Sequence, residues 1–147
     1  MQDPEANKLF IKGLTDFNKG QTLSALTCFE KADKIEKDSL NTSYLALCMA
    51  QQRGLVKNAI TLCEEAIQKE PENSTLYLNL GKIYLLGRKK EDAIKAFRDG
   101  LKYETNQQII DELTKLGTRK PPIFPSLPRS HPINKYLGII LKILRIR

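Results

Sequence analysis

Apolar residues return every three or four positions along most of this chain, in stretches separated by short polar turns. That spacing predicts helices that each bury a single stripe. Asp3-Pro4-Glu5 opens the first: Asp3 can accept from the orphan amide donors of a helix start, and Pro4 needs no donor there. The helix is expected to run to about Asn18, with Leu9, Phe10, Gly13, Leu14 and Phe17 on its apolar side. Beyond Gly20 and Thr22, a second helix carries Leu26, Phe29, Ala32 and Ile35. A third is expected from Ser39 to the turn at Arg53-Gly54. A fourth carries Val56, Ala59, Ile60, Cys63, Ala66 and Ile67 and stops at Glu70-Pro71. Asn73 or Ser74 caps a fifth, which ends in a polar turn containing Gly87, and a sixth runs through Ala93, Phe97 and Gly100 to Tyr103. No stretch reads as a strand, so the fold class is all-α.

The stretch from Leu76 to Tyr103 sets a template that recurs at a period of 34 residues. Ala93 maps back to Ala59 and Ala25, Phe97 to Cys63 and Phe29, and Gly100 to Ala66 and Ala32. Gly81 maps to Leu47 and Gly13, while Gly20, Gly54 and Arg88 share a turn position. Together with Tyr77, Leu80, Tyr84 and Pro71, these small and aromatic positions resemble the tetratricopeptide repeat (TPR) family. The resemblance covers about Ala6 to Asn106 in three units, 6–39, 40–73 and 74–107. It implies an α-solenoid of three helix-turn-helix repeats. In the first unit Lys12 and Asp16 replace the usual apolar Leu and Tyr, as expected where a terminal repeat has an uncovered face.

A seventh helix is expected over 106–116, with Ile109, Ile110, Leu113 and Leu116 apolar and Leu116-Gly117 as its stop. TPR arrays often end in such a capping helix, which would close a TPR domain at 1–117. The character then changes. Five of the seven prolines fall in 118–132, an extended strap whose Ile123, Phe124 and Leu127 suit contact with protein better than a solvated spacer. Pro132 can open a last amphipathic helix over 133–147, with Ile133, Tyr136, Leu137, Ile140, Leu141 and Leu144 at helical spacing and Lys135, Lys142 and Arg145 on another side. It is too short and too interrupted by charge to span a bilayer.

Charge and chemistry narrow the function. The formal charge of +7 resides entirely in the tail, where residues 118–147 hold seven basic and no acidic side chains. The repeats are electrically balanced, which argues against a phosphate-reading groove, and the tail lacks the aromatic–basic interleaving of a base-stacking surface. Cys28, Cys48 and Cys63 have neither disulfide-framework nor metal-ligand spacing. His131 is the sole histidine and has no carboxylate or cysteine partner in its neighbourhood. No metal site, cofactor or catalytic constellation is expected, and the chain does not read as an enzyme. Its start lacks the basic-then-apolar order of a secretory signal, so a cytoplasmic location is expected.

The remaining candidate is a binding surface. The resemblance implies that the first helix of each pair lines a concave groove. Its candidate contacts are Asn7, Phe10, Ile11 and Leu14, then Asn41, Tyr44, Leu45 and Cys48, then Thr75, Leu78, Asn79 and Lys82. One TPR subclass grips the C-terminal carboxylate of heat-shock chaperones with Lys, Asn, Asn, Lys and Arg. The matching positions here are Phe10, Leu14, Leu45, Thr75 and Asn79, none of which carries charge, so that clamp is not expected. The expected function is a non-catalytic interaction adaptor that takes an apolar strand or amphipathic helix from a protein or peptide partner. The apolar stripe of 133–147 would be a liability if exposed on a soluble monomer. It is therefore expected to dock in its own groove, or in a neighbour's to give a swapped homodimer. The alternative is a peripheral membrane scaffold anchored by that same helix. The register itself is testable: Ala59→Leu and Ala93→Leu should each overpack a close helix contact and cost about 1–3 kcal/mol in urea denaturation, and neutrality at both would displace the repeat register.

Overall fold

The computed structural model describes residues 1–117, and the strap and the helix expected over 133–147 lie outside them. Seven α-helices follow one another: α1 Pro4–Asn18, α2 Thr22–Ile35, α3 Ser39–Arg53, α4 Val56–Lys69, α5 Ser74–Leu86, α6 Lys90–Leu101 and α7 Gln107–Lys115. Helices α1 and α2, α3 and α4, and α5 and α6 form three pairs, and α3 joins the first pair to the third by packing on both α2 and α5. Met1–Leu113 pack as one compact unit. The described residues therefore form an all-α solenoid, with α7 laid against the last pair: a methyl group on Gly100 of α6 would sit 2.9 Å from Ile109 Cδ1.

Capping sets where the first helix of each pair begins. Asp3 accepts from the N–H groups of Glu5 and Ala6, both at 2.9 Å, with Pro4 at the first position. Asp38 accepts from Asn41 N at 3.2 Å, and Asn73 rather than Ser74 accepts from Thr75 N at 3.1 Å. A second set of caps recurs at the period of the repeat. Glu36 takes the N–H groups of Gln2 and Asp3 at 2.9 and 2.8 Å. Glu104 takes that of Ser74 at 2.9 Å, and Glu70 accepts from Asn73 Nδ2 at 3.3 Å. Glu36 and Glu104 thus stabilise the positive start of their own pair's first helix, whereas Glu70 engages the capping residue of the following pair's α5. Asn106 extends the scheme, capping α7 through Gln108 N and tying it to α5 through Ser74 Oγ at 2.9 Å.

The turns follow the repeat register. Gly20 (φ 79°) and Gly54 (φ 67°) adopt the left-handed conformation, but in the third pair Gly87 has φ −84° and Arg88 takes the left-handed role at φ 58°. The repeat period governs the backbone here, so the residue in register adopts the turn even when a glycine precedes it.

Size complementarity holds each pair together. Gly13 faces Phe29 so closely that a Cβ would lie 2.5 Å from Cε1, and Gly81 meets Phe97 in the same way. In the middle pair the sizes are exchanged: Leu47 stands at the glycine position and Cys63 at the phenylalanine position, both fully buried in one cluster with Ala46, Ala50 and Ala59. Ala25, Ala59 and Ala93 are all wholly buried, as their shared position requires. Two expectations change. Asp16 is not on an open face but buried, accepting from Ser24 Oγ at 2.6 Å, while Lys12 beside it is exposed. Ile35, placed by periodicity on the apolar stripe of α2, is exposed at that helix's last residue.

Two predictions arise from this architecture. Arg88→Gly should raise stability by about 0.5–1 kcal/mol in urea denaturation, because the left-handed penalty of about 1–2 kcal/mol exceeds the extra chain entropy glycine surrenders. A loss of stability would show that the Arg88 side chain contributes more than its backbone costs. The second prediction concerns acid. The carboxyl of Glu36, accepting from Asp3 and Gln2, and that of Glu104, accepting from the Ser74 hydroxyl and N–H, titrate below the ordinary 4.5. A depressed folded value contributes stability above the unfolded value, and that stability disappears as pH falls through the folded value. The melting temperature should therefore fall below about pH 4.5, and the fall should be shallower in a Glu36→Gln, Glu104→Gln variant. An unchanged pH profile in the variant would remove these caps from the acid response.

Candidate peptide-binding groove

The first helices α1, α3 and α5 carry all twelve candidate groove residues, and the structure divides them by depth. Asn7 and Ile11 are exposed, and Leu14, Tyr44, Thr75 and Lys82 are half-buried. Asn41, Cys48, Leu78 and Asn79 are fully buried, and Phe10 and Leu45 nearly so. The expectation that all twelve face outward is corrected for these six, which do not offer a free surface.

Interdigitation between neighbouring elements is the physical reason for most of them. Phe10 and Tyr44 belong to an aromatic cluster with Phe29 and Phe17. Tyr44 stacks on Phe29 at 5.6 Å and meets Phe17 edge-on at 5.5 Å, while Phe10 lies 5.9 Å from Phe29. Leu45 and Cys48 pack into the same core. Asn41 Nδ2 donates to Phe29 O at 3.1 Å, and Asn79 Nδ2 donates to Ser43 Oγ at 2.9 Å. The Asn79–Ser43 bond ties α5 directly to α3. One repeat position shows the effect of stacking most clearly. Ile11, Leu45 and Asn79 are equivalent by the 34-residue period, yet their exposures are 55%, 7% and 0%.

The floor between these helices is electrically quiet. Burial raises the Tyr44 hydroxyl above its ordinary value and pushes the Cys48 thiol up to about 12, so both stay protonated near neutrality. Cys63 is pushed up to about 12 by the same cause. Among the described residues no group of three or more His, Cys, Asp or Glu side chains could hold a metal ion. The five positions of the carboxylate clamp hold Phe10, Leu14, Leu45, Thr75 and Asn79, of which only Leu14 and Thr75 retain appreciable exposure.

Residues 50–114 match the family model described as tetratricopeptide repeat. The chain is a tetratricopeptide-repeat protein. It is 27% identical over 132 residues to the small glutamine-rich tetratricopeptide repeat-containing protein of Dictyostelium discoideum, an alignment covering 84% of this chain and 39% of that protein. It is 30% identical over 101 residues to the TPR repeat-containing protein YpiA of Bacillus subtilis strain 168, covering 68% of this chain and 24% of that protein. The chain thus spans well under half of the length of these relatives. Among solved structures it is similar to the first TPR of Spaghetti (RPAP3) bound to the HSP90 peptide SRMEEVD. The TM-score is 0.65 at 21% identity, covering 80% of this chain and 96% of that one. At that identity the likeness establishes the shared solenoid fold.

Sequence reasoning missed two elements of the TPR domain. The recurring Glu36, Glu70 and Glu104 share the 34-residue period and could have been found by extending the register to charged positions. The side-chain group Lys12, Asp16, Ser24 and Cys28 had no sequence signal, because it assembles only when α1 and α2 pair.

Proposed function

We propose that this TPR domain is a non-catalytic protein-interaction adaptor that holds an apolar peptide or helix along α1, α3 and α5. One observation carries the reading: Ile11 stands 55% exposed at the edge of a floor formed by half-buried Leu14 and Tyr44. An apolar ligand face gains free energy at such a surface, whereas a carboxylate finds no cation at the five clamp positions. The HSP90 peptide in the similar RPAP3 structure is acidic, and the substitutions at those positions argue against the same ligand class here. The three cysteines are free and buried, which supports a reducing compartment such as the cytoplasm.

The sequence supplies a candidate occupant in residues 133–147, taken from the same chain or from a second copy. The competing reading assigns that segment to a membrane surface. Among the described residues no helix is long and apolar enough to cross a membrane. The test uses residues 1–117 and two synthetic peptides, one of residues 133–147 and one of sequence SRMEEVD. Calorimetric titration should show binding of the first and not of the second, with Ile11→Asp weakening it about tenfold while leaving the melting curve unchanged, since one desolvated aliphatic contact is worth about 1.5–3 kcal/mol. Tight binding of SRMEEVD would overturn the apolar reading. Co-flotation of the intact chain, but not of residues 1–117, with anionic liposomes, together with no binding of the 133–147 peptide, would favour the membrane reading.

A further inference from the structure

Antiparallel pairing of α1 and α2 brings together two nucleophiles that the groove does not use. Lys12 Nζ lies 3.9 Å from Cys28 Sγ across the helix pair, sixteen residues apart in sequence. The same ammonium is 4.0 Å from Asp16 Oδ2, and Ser24 Oγ donates to that carboxylate at 2.6 Å. The two nucleophiles differ in access: the Lys12 side chain is largely solvent-exposed, whereas Cys28 is 4% exposed beneath it. The other two cysteines have no such neighbour. Cys63 Sγ donates to Leu76 O at 3.3 Å, and Cys48 packs among Phe10, Leu26 and Phe29. In the other two repeats the positions of Lys12 and Cys28 are filled by the apolar residues Ala46 and Leu62, then Leu80 and Ala96. The amine–thiol pair is therefore peculiar to the first pair.

We propose that Cys28 and Lys12 form a modification site at which an acyl thioester, such as an acyl-coenzyme A, is relayed from sulfur to nitrogen. In the first step the Cys28 thiolate attacks the thioester carbonyl. A new S–acyl bond forms, the original thioester bond breaks, and the carrier leaves as its thiol after taking up a proton. In the second step the neutral Lys12 amine attacks the Cys28 thioester. The amide bond forms as the S–acyl bond breaks, the amine proton goes to solvent, and the Cys28 thiol is regenerated. No oxidant or reductant is needed. The advantage is proximity: the thiol exchanges with thioesters more readily than an amine does, and the second step becomes intramolecular between atoms already in reach. Rotation of the exposed Lys12 chain uncovers Cys28 for the first step. Acylation removes the Lys12 charge and with it the ion pair to Asp16, so the modification changes the charge of the first helix pair.

The experiment incubates the folded full-length chain with acetyl-coenzyme A at mildly alkaline pH and follows each lysine by peptide mass spectrometry. Lys12 should be acetylated about tenfold faster than exposed lysines without a thiol neighbour, such as Lys8 and Lys90. Cys28→Ser and Cys28→Ala, each confirmed folded by circular dichroism, should bring Lys12 down to the rate of those lysines. Lys12→Arg should instead trap the acetyl group on Cys28 as a hydroxylamine-labile thioester, a readout independent of the cysteine variants. Acetylation of Lys12 at the rate of its neighbours, an unchanged rate in both cysteine variants, or absence of the Cys28 thioester in Lys12→Arg would each overturn the relay.

Discussion

The contact that the rest of this fold depends on is the close approach of two helices where a small residue on one meets a large residue on the other. Gly13 against Phe29 and Gly81 against Phe97 leave no space for even one additional carbon. Leu47 and Cys63 satisfy the same requirement with the sizes reversed, so the constraint is on the summed volume at the contact rather than on either residue alone. That contact brings the two helices of a pair to their working distance. The turn residues Gly20, Gly54 and Arg88 then reverse the chain in one way each time; the carboxylates Glu36 and Glu104 fasten the end of the first and third pairs near their own beginnings, and Glu70 links the second pair to the start of the third.

Stacking of equivalent pairs has a direct consequence for the candidate groove. A side chain at a given repeat position is exposed or buried according to what packs on it from the preceding pair. Ile11 and Asn79 share a position, yet one is a surface residue and the other a buried strut bonded to Ser43. The accessible recognition surface is therefore narrower than twelve residues and weighted toward α1. The aromatic cluster of Phe10, Phe17, Phe29 and Tyr44 supports it from below and belongs as much to the core as to the groove. A rigid aromatic floor under an exposed aliphatic rim suits a ligand that buries apolar surface without reorganising the site.

The first pair also departs from the others in chemistry. Positions that are apolar in the second and third pairs hold Lys12, Asp16 and Cys28, and Ser24 closes the group by donating to Asp16. A buried carboxylate here accepts from Ser24 and lies beside an exposed ammonium. The group also places an amine beside a thiol, which no stacked pair could do without burying a charge.

By itself the sequence determined the fold class, the three repeats and nearly all helix limits, because helical spacing, helix caps and the 34-residue period are local or recurrent signals. Asp3, Asn73 and Gly54 act as their residue types imply, and Ala59 and Ala93 are buried where the register puts them. Tertiary structure decided what depends on neighbours. It buried Asp16 against Ser24 and turned Asn41 and Asn79 inward as interhelical bonds. It also brought Lys12 to Cys28. A period of 34 residues tells which positions are equivalent, but exposure is set by the element packed on each of them, and that differs from one end of a stack to the other.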